Sequence, residues 1–146
     1  VSADIRPTDQ LRISQTFVMS DYLRRTDGSR VGRQMLPRTK LEYQVNRALF
    51  VRVIGEYSTN YTDALRDETR TQGPLLVYAK GKWVKTVRST ANRVRGDFLL
   101  SYRPTPGTVF YAGYDAQMSE PDAFAFRGLN RTNDVFFVKL SYLFRY

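Results

Sequence analysis

The feature that most constrains this chain is the segment 133–146, in which polar and apolar side chains alternate. Successive residues of a β-strand point to opposite faces of a sheet. One face of the segment carries Asp134, Phe136, Val138, Leu140, Tyr142, Phe144 and Tyr146, and the other carries Val135, Phe137, Lys139, Ser141, Leu143 and Arg145. A soluble sandwich buries such an apolar face under a second sheet, whereas a membrane barrel turns it toward lipid and places aromatic residues at the interfaces. Tyr142, Phe144 and Tyr146 are typical of such an aromatic girdle.

Five other segments alternate in the same way, and none has helical periodicity of comparable strength. They are residues 9–24, 33–45, 48–61, 93–103 and 108–118. Pro37 interrupts the second segment, because proline donates no hydrogen bond to a ladder, and we expect it at an edge or a bulge. The connectors alternate between short turns (45–48 and 103–107) and longer polar loops (26–31, 62–92 and 120–132). This alternation is typical of outer-membrane barrels, which have short periplasmic turns and long extracellular loops.

Composition excludes helical membrane proteins and most enzyme classes. The 146 residues have a mean hydropathy of -0.46, and no run approaches the roughly 18 to 20 apolar residues of a transmembrane helix. Cysteine and histidine are absent, which removes disulfides, thiolate metal sites and histidine-dependent triads. Two carboxylate clusters remain as candidate Ca²⁺ or acid–base sites, Asp63, Asp67 and Glu68 in one loop and Asp115, Glu120 and Asp122 near another, without a diagnostic spacing. We therefore predict that the chain is not an enzyme and that it holds no cofactor and no metal.

The formal charge of +9 is spread along the alternating strands. Because no nucleic-acid-binding motif accompanies it, we predict no nucleic-acid partner. The charged residues assigned to the lumen side of the strands are Arg12, Arg38, Lys40, Glu42, Arg52, Glu56, Arg93, Arg95, Asp97, Asp115 and Lys139. A net basic lumen would favour anionic solutes or surface glycans. The alternative is a ladder of ion pairs that ties neighbouring strands together.

The loop between the third and fourth alternating segments contains a second β-rich pattern. Residues 75–88 hold two short apolar runs around Lys80-Gly81-Lys82, which predicts a projecting extracellular hairpin within 62–92. Lys80, Lys82, Lys85 and Arg88 make it basic, so it is either a site for anionic sugars and phosphates or a solvated hairpin with ordinary surface charge. Trp83 is interpreted as the packing anchor of the hairpin rather than as a sugar-stacking platform.

The last fifty residues carry a family resemblance. The turn at Pro104, Pro106, Gly107 and Thr108, the strand 111–114, and Arg131-Thr132-Asn133-Asp134 before the aromatic last strand are similar to the C-terminal ends of a family of bacterial proteins of unknown function. In that family a carbohydrate-binding family-nine-like domain precedes a large outer-membrane barrel. The ending also resembles the C-terminal insertion signal of such barrels. The resemblance implies location in the outer membrane of a Gram-negative-type bacterium, with outer-membrane lipid, lipopolysaccharide and the barrel-assembly machinery as partners.

These patterns predict an all-β fold: an antiparallel up-and-down meander of about six transmembrane strands from an outer-membrane β-barrel. Arg6-Pro7-Thr8 has the composition of a further turn, so residues 1–5 are expected to end an earlier strand. Six strands are fewer than the roughly eight of the smallest single-chain barrels, which predicts partner strands from upstream in the same protein or from other chains. The predicted role is a membrane anchor or conduit. The alternative is a soluble meander barrel that binds a small apolar or anionic ligand inside.

Overall fold

The structure is a computed structural model that describes residues 1–143, and this part of the chain is all-β. Its strands are β1 (Ser2–Ile5), β2 (Leu11–Leu23), β3 (Arg30–Gln44), β4 (Leu49–Thr62), β5 (Leu76–Ala79), β6 (Lys82–Lys85), β7 (Ser89–Thr105), β8 (Thr108–Glu120) and β9 (Asn130–Tyr142). Phe144 and Tyr146, which the sequence assigned to the aromatic girdle, lie outside the described residues. Within residues 1–143, no helix has the length and apolar character needed to span a membrane.

Within residues 1–143, seven strands form one sheet in the order β1-β2-β3-β4-β7-β8-β9, and every neighbouring pair is antiparallel. The all-β up-and-down meander predicted from the sequence is therefore confirmed. The seventh strand is β1, which pairs Ser2 to Ile5 with Thr16 to Ile13 of β2. In the described residues β1 and β9 are not hydrogen-bonded to each other, so the sheet is open at both edges.

The strand register sorts the side chains onto two faces. Val53, Phe98, Tyr114 and Phe136 are direct partners in a row across β4, β7, β8 and β9. We call their side of the sheet the apolar face, which also carries Ile5, Leu11, Ile13, Phe17, Met19, Met35, Leu41, Tyr43, Leu49, Val51, Tyr57, Leu100, Tyr102, Phe110, Ala112, Val138, Leu140 and Tyr142. The opposite side, which includes Arg52, Asp97 and Asp115, is the polar face. The faces follow the alternation read from the sequence.

Among the described residues, no second layer is packed across the sheet. The buried apolar residues of the described chain are Tyr57 and Ala116, and residues such as Phe136 (70% exposed) and Leu140 (68%) lie open. The accessible surface is 11021 Å². A compact monomer of 16.9 kDa would expose about 7,700 Å². The excess of about 3,300 Å² shows that these residues form a single layer rather than a closed core.

Two details differ from the sequence prediction. The strand expected to begin at Arg93 begins at Ser89, because Ser89 to Asn92 pair with Thr62 to Thr59 of β4 although they lack an alternating apolar pattern. Pro37 lies in an interior strand rather than at an edge. It pairs with Phe17 of β2, and Leu36 and Pro37 have no partners in β4, where the missing N–H of Pro37 faces that strand. The β3–β4 register is the same at Met35 and at Arg38, so Pro37 does not lie at a bulge either.

The connections differ in length at the two ends of the sheet. One end has the turns 6–10, 45–48 and 106–107, and we call it the turn end. The other has the loops 24–29, 63–88 and 121–129, and we call it the loop end. The loop 63–88 contains the expected hairpin, β5–β6. Its turn residues Lys80 and Gly81 have φ of 51° and 80°, which is the backbone twist of a two-residue type I′ turn.

Candidate functional site

The polar face gathers all eleven charged residues that the sequence assigned to one side of the strands. Arg38, Arg52, Glu56, Arg95 and Asp97 lie together in its middle, where they line an open depression of about 250 Å³ with Ile54. The geometry agrees with the period-two assignment, since cross-strand partners share a face. Whether this face borders a lumen stays a prediction.

Four of the predicted acids are paired with predicted bases. Arg52 Nη2 lies 3.2 Å from Asp97 Oδ1, and Arg95 Nε donates to Asp115 Oδ2 at 2.6 Å. Lys40 Nζ lies 3.1 Å from Glu42 Oε2. Arg38 Nε lies 3.8 Å from Glu56 Oε2, the longest of these contacts. Three of the pairs join neighbouring strands, and the Lys40–Glu42 pair lies within β3. The charged residues therefore form a ladder of ion pairs, which is the alternative that the sequence left open beside an unpaired basic wall.

Asp4 is a member of this ladder that the sequence analysis missed. Its carboxylate lies 3.5 Å from Arg12 Nη2 and accepts a short hydrogen bond from Ser14. The sequence indicates only that residues 1–5 end a strand, and it leaves their faces unassigned. The period-two rule, extended to Asp4, places this residue on the same face as Arg12. Within residues 1–143, Arg93 and Lys139 form no ion pair with an acid, so the polar face keeps a net positive charge.

Arg24 joins two loops at the loop end and is only 6% exposed. Its guanidinium donates to Ser29 Oγ at 2.9 Å, to Asp63 Oδ2 at 2.8 Å and to the Ala64 carbonyl at 2.9 Å. The same group lies 3.2 Å from Glu68. Hydrogen bonding to Arg24 lowers the pKa of Asp63 below its ordinary value, and the nearby positive charges of Arg24 and Arg66 act in the same direction. The loops 24–29 and 63–88 are therefore held together by one buried cation.

A second network fixes the loop 121–129 on the apolar face. The Tyr57 hydroxyl makes a short hydrogen bond with Glu120 and accepts one from the Phe124 amide at 2.7 Å. Glu120 also accepts from the Phe126 amide at 2.8 Å. The rings of Tyr57 and Phe124 stack with centroids 4.3 Å apart. Phe124 and Phe126 have positive φ values of 59° and 51°, which are uncommon for bulky residues, so these contacts hold the loop in a strained backbone conformation.

In the part of the chain that the structure describes, neither carboxylate cluster is arranged as a metal site. Asp63 and Glu68 are occupied by Arg24, and Asp67 accepts hydrogen bonds from the amides of Thr69 and Arg70 in a local turn. The other cluster is divided between the two faces: Asp115 lies on the polar face and Glu120 on the apolar face. In residues 1–143 no three carboxylates are grouped so that they could hold an ion. The candidate Ca²⁺ or acid–base sites are therefore not assembled, because the strand pleat separates one set and arginine neutralises the other.

The basic residues of the β5–β6 hairpin remain exposed to solvent. Lys80, Lys82, Lys85 and Arg88 form no ion pair with any described residue. Trp83 packs against its direct partner Tyr78 with ring centroids 5.3 Å apart but stays 66% exposed. This ring contact therefore lies within the hairpin. The hairpin is attached to the loop through Leu75 and Thr86, which hydrogen-bond to the Leu65 carbonyl at 2.8 Å each.

The aromatic residue Tyr142 ends β9 on the apolar face at the turn end of the sheet, opposite Thr108. It is 59% exposed. Tyr43 and Tyr102 lie on the same face near the same end.

Comparison with protein-family models, curated proteins and solved structures finds no match.

Proposed function

We propose that this chain forms part of the wall of a bacterial outer-membrane β-barrel, which serves as a membrane anchor or conduit. The observation that carries the proposal is the apolar face, which extends over seven antiparallel strands and has no second layer among the described residues to cover it. In water such a sheet would leave its apolar side chains hydrated, and globular domains avoid this by packing two layers together. A hydrocarbon environment satisfies the same face without another protein layer.

The dimensions of the apolar face suit a bilayer. On β4 it runs from Leu49 to Tyr57, and a strand rises about 3.3 Å per residue, which corresponds to about 30 Å along the strand. A tilt of about 40° reduces this to a band of about 23 Å, close to the apolar band of about 25 Å on outer-membrane barrels. At the loop end the face becomes charged at Asp21 and Arg33. Tyr43, Tyr102 and Tyr142 lie at the turn end, where an interface girdle would be.

The polar face supports a water-filled or polar interior. Its ion pairs leave 22–33% of the Arg52 and Asp97 side chains exposed, so water still reaches these charges. Arg93 and Lys139 add positive charge and form no ion pair with an acid among the described residues. An interior of this kind would favour anionic solutes, because confined charges focus the potential in a narrow pore.

The open edges support a larger barrel. Both β1 and β9 have one side without a hydrogen-bonded neighbour in the described sheet. In hydrocarbon each unpaired N–H or C=O costs several kcal/mol, so a membrane-embedded sheet requires partner strands on both sides. We therefore propose that strands from the same protein or from other chains complete the barrel.

The proposal is tested by the accessibility of two neighbouring residues. Because the chain has no cysteine, Val53→Cys and Ile54→Cys introduce a single thiol on the apolar and polar faces, respectively. In outer-membrane fractions we expect a water-soluble maleimide to label the thiol at 54 and to leave the thiol at 53 unlabelled until the protein is unfolded. A soluble meander barrel would be recovered without detergent and would bury the apolar face, leaving the charged face in bulk water. Recovery in the soluble fraction would reject the membrane proposal.

A further inference from the structure

A groove lies on the apolar face at the loop end, between the sheet and the loop 121–129. It has a volume of about 460 Å³ and is lined by Arg30, Arg33, Met35, Thr59, Tyr61, Thr90, Ala123 and Phe124. Arg33 and Met35 are the direct partners of Tyr61 and Thr59, so the floor is made of β3 and β4. This volume falls within the range of about 300 to 1,000 Å³ that is common for small-molecule sites.

The wall of the groove is held in place by the network around Tyr57. Phe124 stacks on Tyr57 at 4.3 Å, and its amide donates to the Tyr57 hydroxyl. Asn92 adds hydrogen bonds from its amide to the carbonyls of Glu120 and Pro121 at 3.3 and 3.1 Å. These contacts fix the start of the loop against the sheet. The groove is therefore built by the fold and does not depend on a freely moving loop.

Two guanidinium groups stand at the rim of this apolar groove. Arg33 binds Asp21 through Nε and Nη2 at 2.8 and 2.6 Å, and Arg30 Nε lies 3.0 Å from the same carboxylate. One carboxylate thus serves two arginines, and the three groups together carry a charge of +1. Arg30 and Arg33 retain side-chain exposures of 44% and 32%, so part of each side chain stays accessible to a ligand.

We propose that this groove binds an anionic phospholipid, one whose phosphate gives the headgroup a net negative charge, with an acyl chain against Met35, Tyr61 and Phe124 and the phosphate on Arg30 and Arg33. Guanidinium groups bind phosphate with two parallel hydrogen bonds, and the rim has the complementary charge. The groove is continuous with the apolar face, and its charged rim lies at the end where that face becomes polar. A lipid that lies along the sheet places its acyl chain on the apolar face and its headgroup at the charged rim. The inference rests on the proposed membrane location.

Other anionic ligands fit the groove less well. Free phosphate would use the rim and leave the apolar walls uncovered. An apolar molecule without charge would leave the surplus cation of the rim unpaired. An anionic phospholipid satisfies both parts, because its acyl chain covers the apolar walls and its phosphate forms charge-assisted hydrogen bonds at the rim.

The test measures headgroup preference on the complete protein purified in a zwitterionic detergent. Phosphatidylglycerol and phosphatidylcholine with identical acyl chains are added separately, and native mass spectrometry counts the lipid bound to each chain. We expect one retained lipid per chain and a preference of about fivefold for phosphatidylglycerol, from charge-assisted hydrogen bonds at the rim. Arg33→Gln should reduce this preference to about twofold or less, because Arg30 remains. Arg103→Gln removes the same charge from the turn end and should leave the preference unchanged.

Two further variants keep the outcome decisive. Arg30→Gln repeats the rim test if Arg33→Gln fails to fold, and Ala123→Trp fills the groove and should lower retention of both lipids. Equal retention of the two headgroups, or displacement of the lipid by inorganic phosphate alone, would reject the lipid site. These results are separate from the thiol labelling at positions 53 and 54. A protein that passes the labelling test and shows no headgroup preference would be a membrane wall without this site.

Discussion

Asp97 and Asp115 lie directly opposite each other on β7 and β8, and each carboxylate is bound by an arginine. Like charges at opposed positions destabilise a sheet. Arg52 of β4 compensates Asp97, and Arg95 of β7 compensates Asp115. The four residues therefore link three strands on the polar face. These two arginines explain why Asp97 and Asp115 can be direct partners in the middle of the sheet, although neither has a residue of opposite charge directly opposite it.

The Arg52–Asp97 pair should contribute modestly to stability. We expect a double-mutant cycle with Arg52→Gln and Asp97→Asn to give a coupling free energy of about 0.2 to 1 kcal/mol, because both side chains are partly solvated. The measurement is unfolding by urea of the protein refolded in detergent. Arg52→Gln combined with Gln34→Ala, which is far from the pair, should be additive. Coupling near zero in the first cycle would remove this pair from the ladder.

Charge on the two faces should have unequal cost. Val53→Arg places a guanidinium on the apolar face and should destabilise the membrane-inserted protein by about 2 to 4 kcal/mol. Ile54→Arg makes the same kind of change at the next residue, beside Asp97 on the polar face, and should cost much less. Folding yield into bilayers and the urea midpoint report the difference. Equal loss in both variants would contradict the orientation of the sheet.

Removal of the Tyr57 hydroxyl should release the loop 121–129. Tyr57→Phe leaves Glu120, which is 6% exposed, and the Phe124 amide without their shared partner, at a cost of about 1 to 3 kcal/mol. We expect faster hydrogen exchange at the Phe124 and Phe126 amides. Tyr61→Phe is the control, since its hydroxyl meets Asp63 only at 3.5 Å. Unchanged exchange in Tyr57→Phe would mean that ring stacking alone holds the loop.

The junction between the loops 24–29 and 63–88 should open in acid. Asp63 has a lowered pKa in the folded state, so its stabilising contribution is complete above the ordinary value of 3.8 and is lost as the pH falls through the lower folded value. We expect hydrogen exchange at the Asp63 amide, which donates to the Val31 carbonyl at 2.7 Å, to accelerate in this window. Asp63→Asn should remove the acid-dependent step, whereas Asp122→Asn should retain it. A step that persists in Asp63→Asn would assign it to another carboxylate.

Much of the strand architecture was predictable because alternation is a local property. A residue two positions along a strand returns to the same face, so Arg12, Arg38, Arg52 and Asp97 were assigned together without any knowledge of their partners. The hairpin at Lys80-Gly81 was predictable for a similar reason, since its turn and flanking runs are contiguous. The start of β7 was missed because Ser89 to Asn92 show no apolar alternation. These residues are strand only because β4 supplies hydrogen-bond partners.

The sequence by itself determined the faces of the strands, the up-and-down order and the difference between the turn end and the loop end, since each depends on neighbours in the chain. Only the tertiary structure decided how the loops fold back. Tyr57 meets Glu120 across 63 positions, and Arg24 meets Asp63 across 39. Such contacts depend on which strands become neighbours and how far each loop reaches, and no local pattern encodes either. The groove between β3, β4 and Phe124 exists for that reason.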